Sequence, residues 1–443
     1  MVPAAGDRAG SRPGTGLAGR RLSAEDLSIL ALETGVVAGH TCKVVVLGGV
    51  LDIDLLRSSI GDRLDRAPEL RMCLREVDGE PWWVPDPQVD LTAHVVESRA
   101  AGAGDESGFR AAVAGIFAQR LDRSRPLWQM DVIPRLAGGS SALVWRIHHA
   151  LADGSTAMRM ARTVLWDEEP GGGPGASGAG PPPRPPADAG HPARHRLGGL
   201  LGAAREAPQP WLRSPFDGHI DARRSVAFAS AGLAGLRDVA RATDGATVND
   251  AVLTVVAGGL RRWLDAHHGH LGPVRVKVPV SLHGVSLARG DDARQPGNRD
   301  AFFCLDLPLG TADPIQRLAA IRRATRIRKQ DHDAQHLDAL MRELTGTPPL
   351  RRFAERVLAH PRSFALNVSN VPGPRRPVHV LGVPVRSLHS LAEIRERHAL
   401  RIAVVSVAGT LNFGLVADPS LVADVGDLAS AMQAEAAALT SAA

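Results

Sequence analysis

The hydrophobic period of the chain changes in the middle of one stretch, residues 141–160. Leu143, Trp145 and Ile147 alternate with Val144 and Arg146, and this period of two predicts a buried strand. From Ser155 onward the apolar residues fall three or four positions apart, which predicts an amphipathic helix. The polar segment His148–Gly154 lies between them. A loop that leaves a strand end can hold side chains in a cleft, so this segment is a candidate for the chemistry of the protein.

The residues before this stretch predict a first half that mixes helices with a sheet. Its predicted elements are a helix at Ser23–Glu33, a strand at Thr41–Leu47, a helix at Asp52–Asp65, a hairpin of Leu70–Val77 and Pro81–Val84, a strand at Leu91–Val96 and a helix at Gly108–Leu121. The hairpin turns at Asp78-Gly79, a favoured turn dipeptide. Arg125–Trp128 then leads into a strand that we expect to pair with the strand ending at His148.

A second half with the same mixture is predicted after residue 222. Its predicted elements are helices at Leu233–Arg241 and 247–263, one or two helices over Asp313–Leu344, strands at Val274–Val280, Phe303–Leu307, Ser363–Ser369, Arg401–Val407 and Leu411–Val416, and a helix at Val425–Leu439. Thr247 and Asp250 have the spacing of a capping box, which leaves Asn249 unexplained. The run at 370–374, Asn-Val-Pro-Gly-Pro, predicts a rigid turn.

The predicted helical region at 313–344 is strongly basic. Its basic residues include Arg317, Arg322, Arg323, Arg326, Arg328 and Lys329. Such a run usually forms a solvated helix face; the alternative is contact with the phosphates of a coenzyme or a lipid.

Composition changes abruptly between residues 167 and 221. Gly171–Pro186 consists almost entirely of Gly, Pro, Ala and Ser and cannot build a core. Segments 195–201 and 211–213 combine apolar and basic residues, and they favour either a surface that rests on a membrane or lipid droplet or a helix packed across the two halves. The predicted division is a disordered tail at 1–20, a first half at 21–166, a linker at 167–221 and a second half at 222–443.

Composition also excludes several classes of protein. The 443 residues are 44% hydrophobic, which is enough for two domains with their own cores. The 52 Lys and Arg residues nearly balance the 47 Asp and Glu residues, so the net charge of +5 gives no argument for binding nucleic acid. Cys42, Cys73 and Cys304 match no metal or disulfide spacing, which predicts a reducing, cytoplasmic compartment and no metal site. No run of about 18 apolar residues occurs, so no membrane span is expected.

His149 is the residue best suited to proton transfer. A neutral imidazole can take a proton from a hydroxyl that attacks a carbonyl, a contribution of roughly 10²–10⁴ in rate. Asp153 could brace the ring or the loop, or it could simply cap the helix that begins at Gly154. The two histidines could equally be satisfied polar residues at a strand end. No Ser or Cys lies in a nucleophile-elbow motif, which favours direct transfer over a covalent acyl-enzyme, and the sequence identifies no oxyanion donor.

Five short motifs occur together in this chain. They are His148-His149-Ala-Leu-Ala-Asp153-Gly154, Arg125-Pro126-Leu127-Trp128, Thr247-Val248-Asn249-Asp250, Val278-Pro279-Val280-Ser281-Leu282 and Ser369-Asn370-Val371-Pro372-Gly373-Pro374. Together they resemble the bacterial wax ester synthase/diacylglycerol acyltransferase family, over roughly residues 21–440. The double histidine alone is also typical of nonribosomal peptide condensation domains. The Pro-Leu-Trp, Asn-Asp and Asn-Val-Pro-Gly-Pro motifs favour the lipid acyltransferases.

The resemblance implies an α/β (α+β) fold similar to chloramphenicol acetyltransferase, with two subdomains joined by a crossover linker and an active-site channel between them. Acyl-CoA would enter as co-substrate from one face and diacylglycerol or a long-chain alcohol from the other, with no permanently bound cofactor. His149 would be the base for the acceptor hydroxyl, while His148, Asp153 and Gly154 would shape its loop. The other family positions would support or line the site: Pro126, Leu127, Trp128, Asn249, Asp250, Asn370, Pro372 and Gly373. The protein would be cytoplasmic, with peripheral contact with the membrane or lipid droplets.

The chain departs from the family pattern at one residue and in the unusually low complexity of its polyproline insertion. A tyrosine usual in the family near Ser406 and Gly409 is replaced by Val407, and the sequence contains no tyrosine. Two alternatives to an acyl-CoA-dependent enzyme therefore remain. One is a condensing or polyketide-tailoring acyltransferase that takes its acyl group from a carrier protein. The other is a lipid-binding relative without activity, against which the intact His149 and Asp153 argue.

Overall fold

The structure is a computed structural model, and it describes residues 19–98, 104–167, 205–269, 271–281, 300–331, 335, 337 and 348–442. Most of the predicted tail at 1–20 lies outside these residues. The Pro/Gly-rich segment Gly171–Pro186 and the apolar and basic segment 195–201 also lie outside them.

The first half contains five helices and seven strands among its described residues. They are β1 (Arg20–Arg21), α1 (Ala24–Leu30), β2 (His40–Leu47), α2 (Ile53–Arg63), β3 (Met72–Val77), β4 (Glu80–Pro85), α3 (Leu91–His94), β5 (Val95–Glu97), α4 (Glu106–Phe117), β6 (Trp128–Leu136), β7 (Ser140–His148) and α5 (Gly154–Val164). Side-chain caps begin these helices: Ser23 and Asp26 form a reciprocal capping box at α1, and Asp52 caps α2.

The second half has the same mixture of elements. They are β8 (Ser225–Gly232), α6 (Leu233–Ala242), α7 (Val248–His268), β9 (Val274–Ser281), β10 (Asp300–Leu307), α8 (Pro314–Gln330), α9 (Pro348–Leu358), β11 (Leu366–Pro372), β12 (His379–Val380), β13 (Val383–Ala392), β14 (Leu400–Val407), β15 (Thr410–Ala417) and α10 (Val425–Ser441). Thr247 and Asp250 form the predicted capping box of α7.

The described strands form two six-stranded sheets and one small sheet. The first large sheet has the order β12-β13-β2-β7-β6-β5, the second has β10-β9-β11-β14-β15-β8, and the small sheet has β1-β4-β3. The predicted pairing of the strand after Arg125–Trp128 with the strand ending at His148 is therefore confirmed, since β6 runs antiparallel to β7. Two sheet-based subdomains with helices confirm the predicted fold class.

The second half contributes a hairpin to the first sheet, and the sequence patterns did not reveal it. The strands β12 and β13 belong to the second half of the chain, yet β13 pairs antiparallel with β2 in the first sheet. Lys43 of β2 lies opposite Ser390 of β13, and its ammonium donates to the Ser390 hydroxyl at 2.7 Å. The crossover therefore ties residues 379–392 to a sheet whose other strands lie before residue 149.

Two apolar clusters form the core, and the second large sheet contributes to both. Leu366, Val368, Ile402 and Val404 belong to the cluster that contains the buried faces of α7, α8 and α10. Val405 and Val407 belong instead to the cluster of the first half. Because side chains alternate along a strand, β11 and β14 present one face to their own helices and the opposite face to the first half.

Three local predictions differ from the structure. Only Val95 and Val96 of the predicted strand at 91–96 are extended, as part of β5, because Asp90 caps a short helix over Leu91–His94. Asn370 does not lie in a turn, since β11 continues to Pro372 and pairs Asn370 with Val404. Arg317 is not on a solvated face: it is 1% exposed and its guanidinium pairs with the buried Glu435 carboxylate.

Close packing of α7 against α10 gives a direct test of the fold. A Cβ atom added to Gly259 would lie 2.3 Å from the Met432 Cγ and 3.0 Å from its Cα. We expect Gly259→Ala to lower the free energy of unfolding by roughly 1–3 kcal/mol, because a backbone must move to accept the methyl group. Urea denaturation followed by circular dichroism would measure the change.

The matched control is Gly115→Ala, in the exposed part of helix α4. A Cβ atom at Gly115 meets nothing within 4 Å, so alanine should raise the free energy of unfolding by roughly 0.5–1 kcal/mol through helix propensity. Equal effects of the two substitutions would contradict the helix packing described here.

Candidate active site

The candidate site begins where β7 ends. The His148 N–H donates to the Leu127 carbonyl at 2.9 Å, and the N–H groups of Leu151 and Ala152 both donate back to the His148 carbonyl. These bonds turn the chain sharply after the strand. The loop from His149 to Asp153 is therefore held on a rigid strand end, as the sequence predicted.

The side chain of His148 is held in one tautomer. Its Nδ1 accepts the Ala150 N–H at 3.1 Å, so the proton of the neutral ring lies on Nε2. Nε2 lies 2.5 Å from the Glu33 Oε1 and donates to it. His148 is 2% exposed, and this pair of bonds leaves its ring no freedom to rotate.

Glu33 is a functional candidate that sequence reasoning missed. Its second carboxylate oxygen lies 2.8 Å from the Arg123 Nη2 and 3.5 Å from the Arg120 Nη1. Burial alone would raise the pKa of this carboxyl, but the hydrogen bonds from His148 and Arg123 outweigh burial and hold the pKa below its usual range. Glu33 is therefore ionised at neutral pH. It lies at the end of the predicted first helix, and no local motif marks it.

Gly39 brings the two histidines to the same loop. Its carbonyl accepts the His149 N–H at 2.9 Å. Its φ of +73° is in the left-handed region, and an added Cβ would lie 2.9 Å from the His148 Nε2. Only glycine satisfies both constraints, although a single Gly among many gave no signal in the sequence.

His149 is half-buried and neutral. Burial, together with the positive charges of Arg401 and Arg395 from the second half, lowers the pKa of His149 to about 4. Asp153 and a hydrogen bond to the residue's own backbone oppose this shift only in part. At neutral pH the ring therefore has an unprotonated nitrogen that can accept a proton.

Asp153 is the N-cap of α5. Its Oδ1 accepts the Thr156 N–H at 2.6 Å and the Ser155 hydroxyl at 2.9 Å. Burial opposes ionisation, but these hydrogen bonds keep the pKa of Asp153 below its usual range. The capping alternative is confirmed. Asp153 thus fixes where the loop ends and the helix begins.

The Pro126-Leu127-Trp128 motif supports the loop through the start of β6. Leu127 provides the carbonyl that receives the His148 N–H. The Trp128 indole N–H donates to the Leu70 carbonyl at 2.7 Å, and the ring stacks on His94 with centroids 4.3 Å apart. Leu127 and Trp128 are 1% exposed each, so this motif anchors the start of β6.

The Asn-Val-Pro-Gly-Pro motif meets the loop through Val371. A Cβ atom added to Gly154 would lie 3.1 Å from the Val371 Cγ2, so the start of α5 packs directly on β11. At Gly373 an added Cβ would lie 2.3 Å from the Ser406 carbonyl oxygen, which requires glycine there. Pro372 is exposed, and Asn370 lies on the opposite face of β11 from Val371.

Asp250 forms its hydrogen bonds within the second half. Its Oδ2 accepts the Thr247 N–H and hydroxyl, and its Oδ1 accepts the Thr325 hydroxyl at 2.7 Å, which joins α7 to α8. These bonds connect Asp250 with helices rather than with the histidine loop. Asn249 is half-buried beside it.

A cavity of about 190 Å³ opens beside His148, and Glu33, Arg120, Arg123 and Leu127 line it. Among the residues that the structure describes, no three His, Cys, Asp or Glu side chains come together as a metal site requires. None of the described helices has both the length and the apolar content needed to cross a membrane.

The ionisation of His149 can be measured directly. In NMR titration of histidine-labelled protein, we expect the His149 resonance, assigned by its loss in His149→Gln, to titrate near pH 4, because burial and two arginines disfavour the imidazolium. Arg401→Gln should move the midpoint upward. A midpoint at or above 6.5, the ordinary value for histidine, would contradict the described environment.

Two family models match the chain. Residues 22–252 match the wax ester synthase/diacylglycerol acyltransferase catalytic domain, and residues 296–440 match the WS/DGAT C-terminal domain. A Mycobacterium tuberculosis protein provisionally named a diacylglycerol O-acyltransferase is 29% identical over 94% of this chain and 96% of its own length. A second such protein from the same organism is 30% identical over 94% of this chain and 95% of its own length.

Solved structures show the same fold. The wax ester synthase/diacylglycerol acyltransferase from Marinobacter aquaeolei VT8 superposes with a TM-score of 0.69 at 23% identity, covering 95% of this chain and 98% of that chain. A starter condensation domain of rhizomide synthetase, solved in complex with C8-CoA, gives a TM-score of 0.58 at 15% identity, with 95% of each chain covered. This chain is an acyltransferase of the wax ester synthase/diacylglycerol acyltransferase family.

Proposed function

We propose that this enzyme transfers a long-chain acyl group from acyl-CoA to the hydroxyl of diacylglycerol, and to long-chain alcohols as a second acceptor class. The observation that carries the proposal is the neutral, half-buried His149 on a rigid loop that contacts the second half at Val371. The relatives provisionally named diacylglycerol O-acyltransferases support diacylglycerol as the acceptor, and family membership supports acyl-CoA as the donor.

The reaction needs one base and no covalent intermediate. The unprotonated nitrogen of His149 takes the acceptor's hydroxyl proton as its oxygen attacks the thioester carbon. The resulting tetrahedral oxyanion collapses, the carbon–sulfur bond breaks, and the imidazolium returns the proton to the leaving thiolate. The products are an ester and free CoA, and His149 is again neutral.

The neighbouring residues position this base. The bonds of His148 to Glu33 and to the Ala150 N–H fix the turn from which His149 projects. Asp153 fixes the other end of the loop through its cap of α5. These residues act through His149, so conservative substitutions should cost less activity than removal of the His149 ring.

The wall beside the histidine loop is apolar. Val371 of β11 and Val405 and Val407 of β14 pack with the apolar cluster of the first half. Val407, which stands where the family usually has tyrosine, is 6% exposed and adds apolar surface to this wall.

The direct test is an acyl-transfer assay with palmitoyl-CoA and either dioleoylglycerol or hexadecanol. We expect neutral lipid and free CoA in equal amounts, and we expect His149→Ala to lower kcat by roughly 10²–10⁴ because the general base is lost. Chromatography of the lipid and thiol detection of CoA measure both products.

His379→Ala is the control, because that side chain is exposed in β12, away from the histidine loop. It should retain activity. Turnover that persists in the folded His149→Ala variant would refute the assignment of His149 as the general base. Transfer from an acyl carrier protein but not from palmitoyl-CoA would overturn the proposed donor.

We also propose peripheral contact with a lipid surface through the described end of the linker and α9. Trp211 is 72% exposed, and Leu350 and Phe353 of α9 are 51% and 63% exposed. The Gln209 N–H donates to the Arg362 carbonyl at 2.9 Å, which ties the segment before Trp211 to the chain just after α9. Exposed aromatic and aliphatic side chains of this kind insert at lipid interfaces.

Liposome sedimentation tests this surface. The double substitution Trp211→Ser and Phe353→Ser should reduce the bound fraction several-fold, because the exposed apolar area falls. The control is Leu55→Ser in α2, where the side chain is 60% exposed on a different part of the molecule. Equal loss in the control, or no loss in the double variant, would exclude this contact surface.

A further inference from the structure

The segment before β8, residues 216–224, lies beside the connection between β13 and β14, residues 393–399. The Ala399 N–H donates to the Phe216 carbonyl at 2.9 Å. Phe216 is fully buried, so this contact belongs to the core of the protein. The end of the linker is therefore fixed to the β13–β14 connection.

Arg224 ends this segment and contacts three parts of the chain. Its side chain is 1% exposed, and its Nε donates to the Glu393 Oε1 at 2.8 Å. Its Nη1 donates to the carbonyls of Asp221 and Arg223, and its Nη2 donates to the Val36 carbonyl of the first half. The planar fork of a guanidinium holds such acceptors in fixed directions. Arg224 thus joins the first half, the end of the linker and the β13–β14 connection at one point.

Glu393, the partner of Arg224, also holds the first half. Its Oε2 accepts the Ala38 N–H at 3.4 Å, and its Oε1 accepts the Ile394 N–H at 3.1 Å. Burial raises the pKa of the Glu393 carboxyl, and the charge and hydrogen bond of Arg224 oppose this shift. The buried ion pair therefore fixes the backbone of the first half at two places, Val36 and Ala38.

The fixed stretch leads directly to Gly39, which orients His149. The Gly39 carbonyl accepts the His149 N–H at 2.9 Å, and the Gly39 backbone lies against the His148 ring. The peptide bond between Ala38 and Gly39 is planar, so a shift of Ala38 also moves Gly39. The ion pair thereby controls the backbone contact of the candidate base.

Glu393 also positions a cation that acts on His149. Its backbone carbonyl accepts a hydrogen bond from the Arg401 Nη1 at 3.0 Å. Arg395 lies two residues further along the connection, and the charges of Arg401 and Arg395 lower the pKa of His149. One residue therefore influences both the backbone that holds His149 and the cations that keep its ring neutral.

We propose that Arg224 and Glu393 are a positioning pair for His149, which holds the base in place relative to both halves of the protein. The pair acts through residues 36–39 and through the β13–β14 connection, and it takes no part in the bonds made or broken. This assignment rests on the proposed function, in which His149 is the general base. It also gives the linker a role beyond joining the halves, because the segment that ends the linker supplies the arginine.

The double substitution Arg224→Met with Glu393→Met separates positioning from a purely structural role. It removes one charge of each sign, and apolar replacement of a buried ion pair often leaves stability unchanged or higher. For palmitoyl-CoA and dioleoylglycerol, we expect kcat to fall about tenfold with both KM values within about twofold, because the base is misplaced while substrate contacts remain. Circular dichroism and urea denaturation check that the variant is folded.

The ionisation of His149 reports the same change without turnover. We expect its NMR titration midpoint to rise from about 4 by about one pH unit in the double variant, since Arg401 and Arg395 are no longer fixed near it. A general base must be unprotonated, so the acid limb of the pH dependence of kcat/KM should move upward by the same amount. Arg224→Lys keeps the charge but loses the fork, and its kcat should fall less, about threefold.

The control is Arg397→Gln with Asp217→Asn, which breaks a more exposed ion pair between the same two segments. These side chains pair at 2.8 Å and are 47% and 27% exposed. We expect kcat, KM and the His149 midpoint to stay unchanged, because the hydrogen bonds described between these side chains do not reach residues 36–39.

Unchanged kcat and an unchanged His149 midpoint in the folded double variant would show that the pair is purely structural and overturn the proposal. A rise in KM with unchanged kcat, or an equal effect in the control, would also refute the positioning role. If the double variant does not fold, unchanged kcat and midpoint in Arg224→Lys would overturn the proposal instead. If His149→Ala retains turnover while the midpoint still moves in the double variant, the proposed base is wrong but the pair positions His149.

Discussion

The pairing of β13 with β2 is the constraint on which the rest of the site depends. It places a hairpin from the second half of the chain inside the sheet of the first half, and the second sheet then packs against that hairpin. At Gly414 of β15 an added Cβ would lie 2.1 Å from the Ser390 carbonyl oxygen, so only glycine permits this approach. Strand pairing can shift only by whole residues, so the pairing of β13 with β2 fixes the position of the two halves relative to each other. That position brings Val371 against Gly154 and places Arg401 within electrostatic range of His149.

The packing of the two halves gives the consecutive histidines His148 and His149 different properties. His148 is held by Glu33 and the Ala150 N–H, so its proton stays on Nε2 and its ring cannot turn. His149 lies within electrostatic range of the second half, where burial and the charges of two arginines lower its pKa to about 4. One histidine is thus a fixed support and the other a neutral proton acceptor. The difference comes from the partners that the fold supplies, since the two residues are chemically identical.

The features that could be predicted from sequence are local ones. Strand β7, the Asp153 cap and the Thr247 and Asp250 capping box depend on residues within a few positions of one another, and periodicity or spacing reveals them. Glu33 could not be predicted, because 115 residues separate it from His148. The pairing of Lys43 with Ser390 spans 347 residues, and β13 was missed for the same reason. The effect of Arg395 and Arg401 on His149 is visible only in the folded structure, where the two halves pack together. It could not be predicted, since isolated arginines in a basic chain carry no spacing signal.

The wall formed by β11 and β14 also gives the site a direction. At the end marked by Asn367 and Arg401 it is polar and positively charged, and four residues further along each strand it is apolar at Val371 and Val405. A rise of about 3.3 Å per residue separates the two ends by about 13 Å. The two ends of this wall therefore differ in polarity and charge. The Gly154 contact with Val371 places the histidine loop beside the wall.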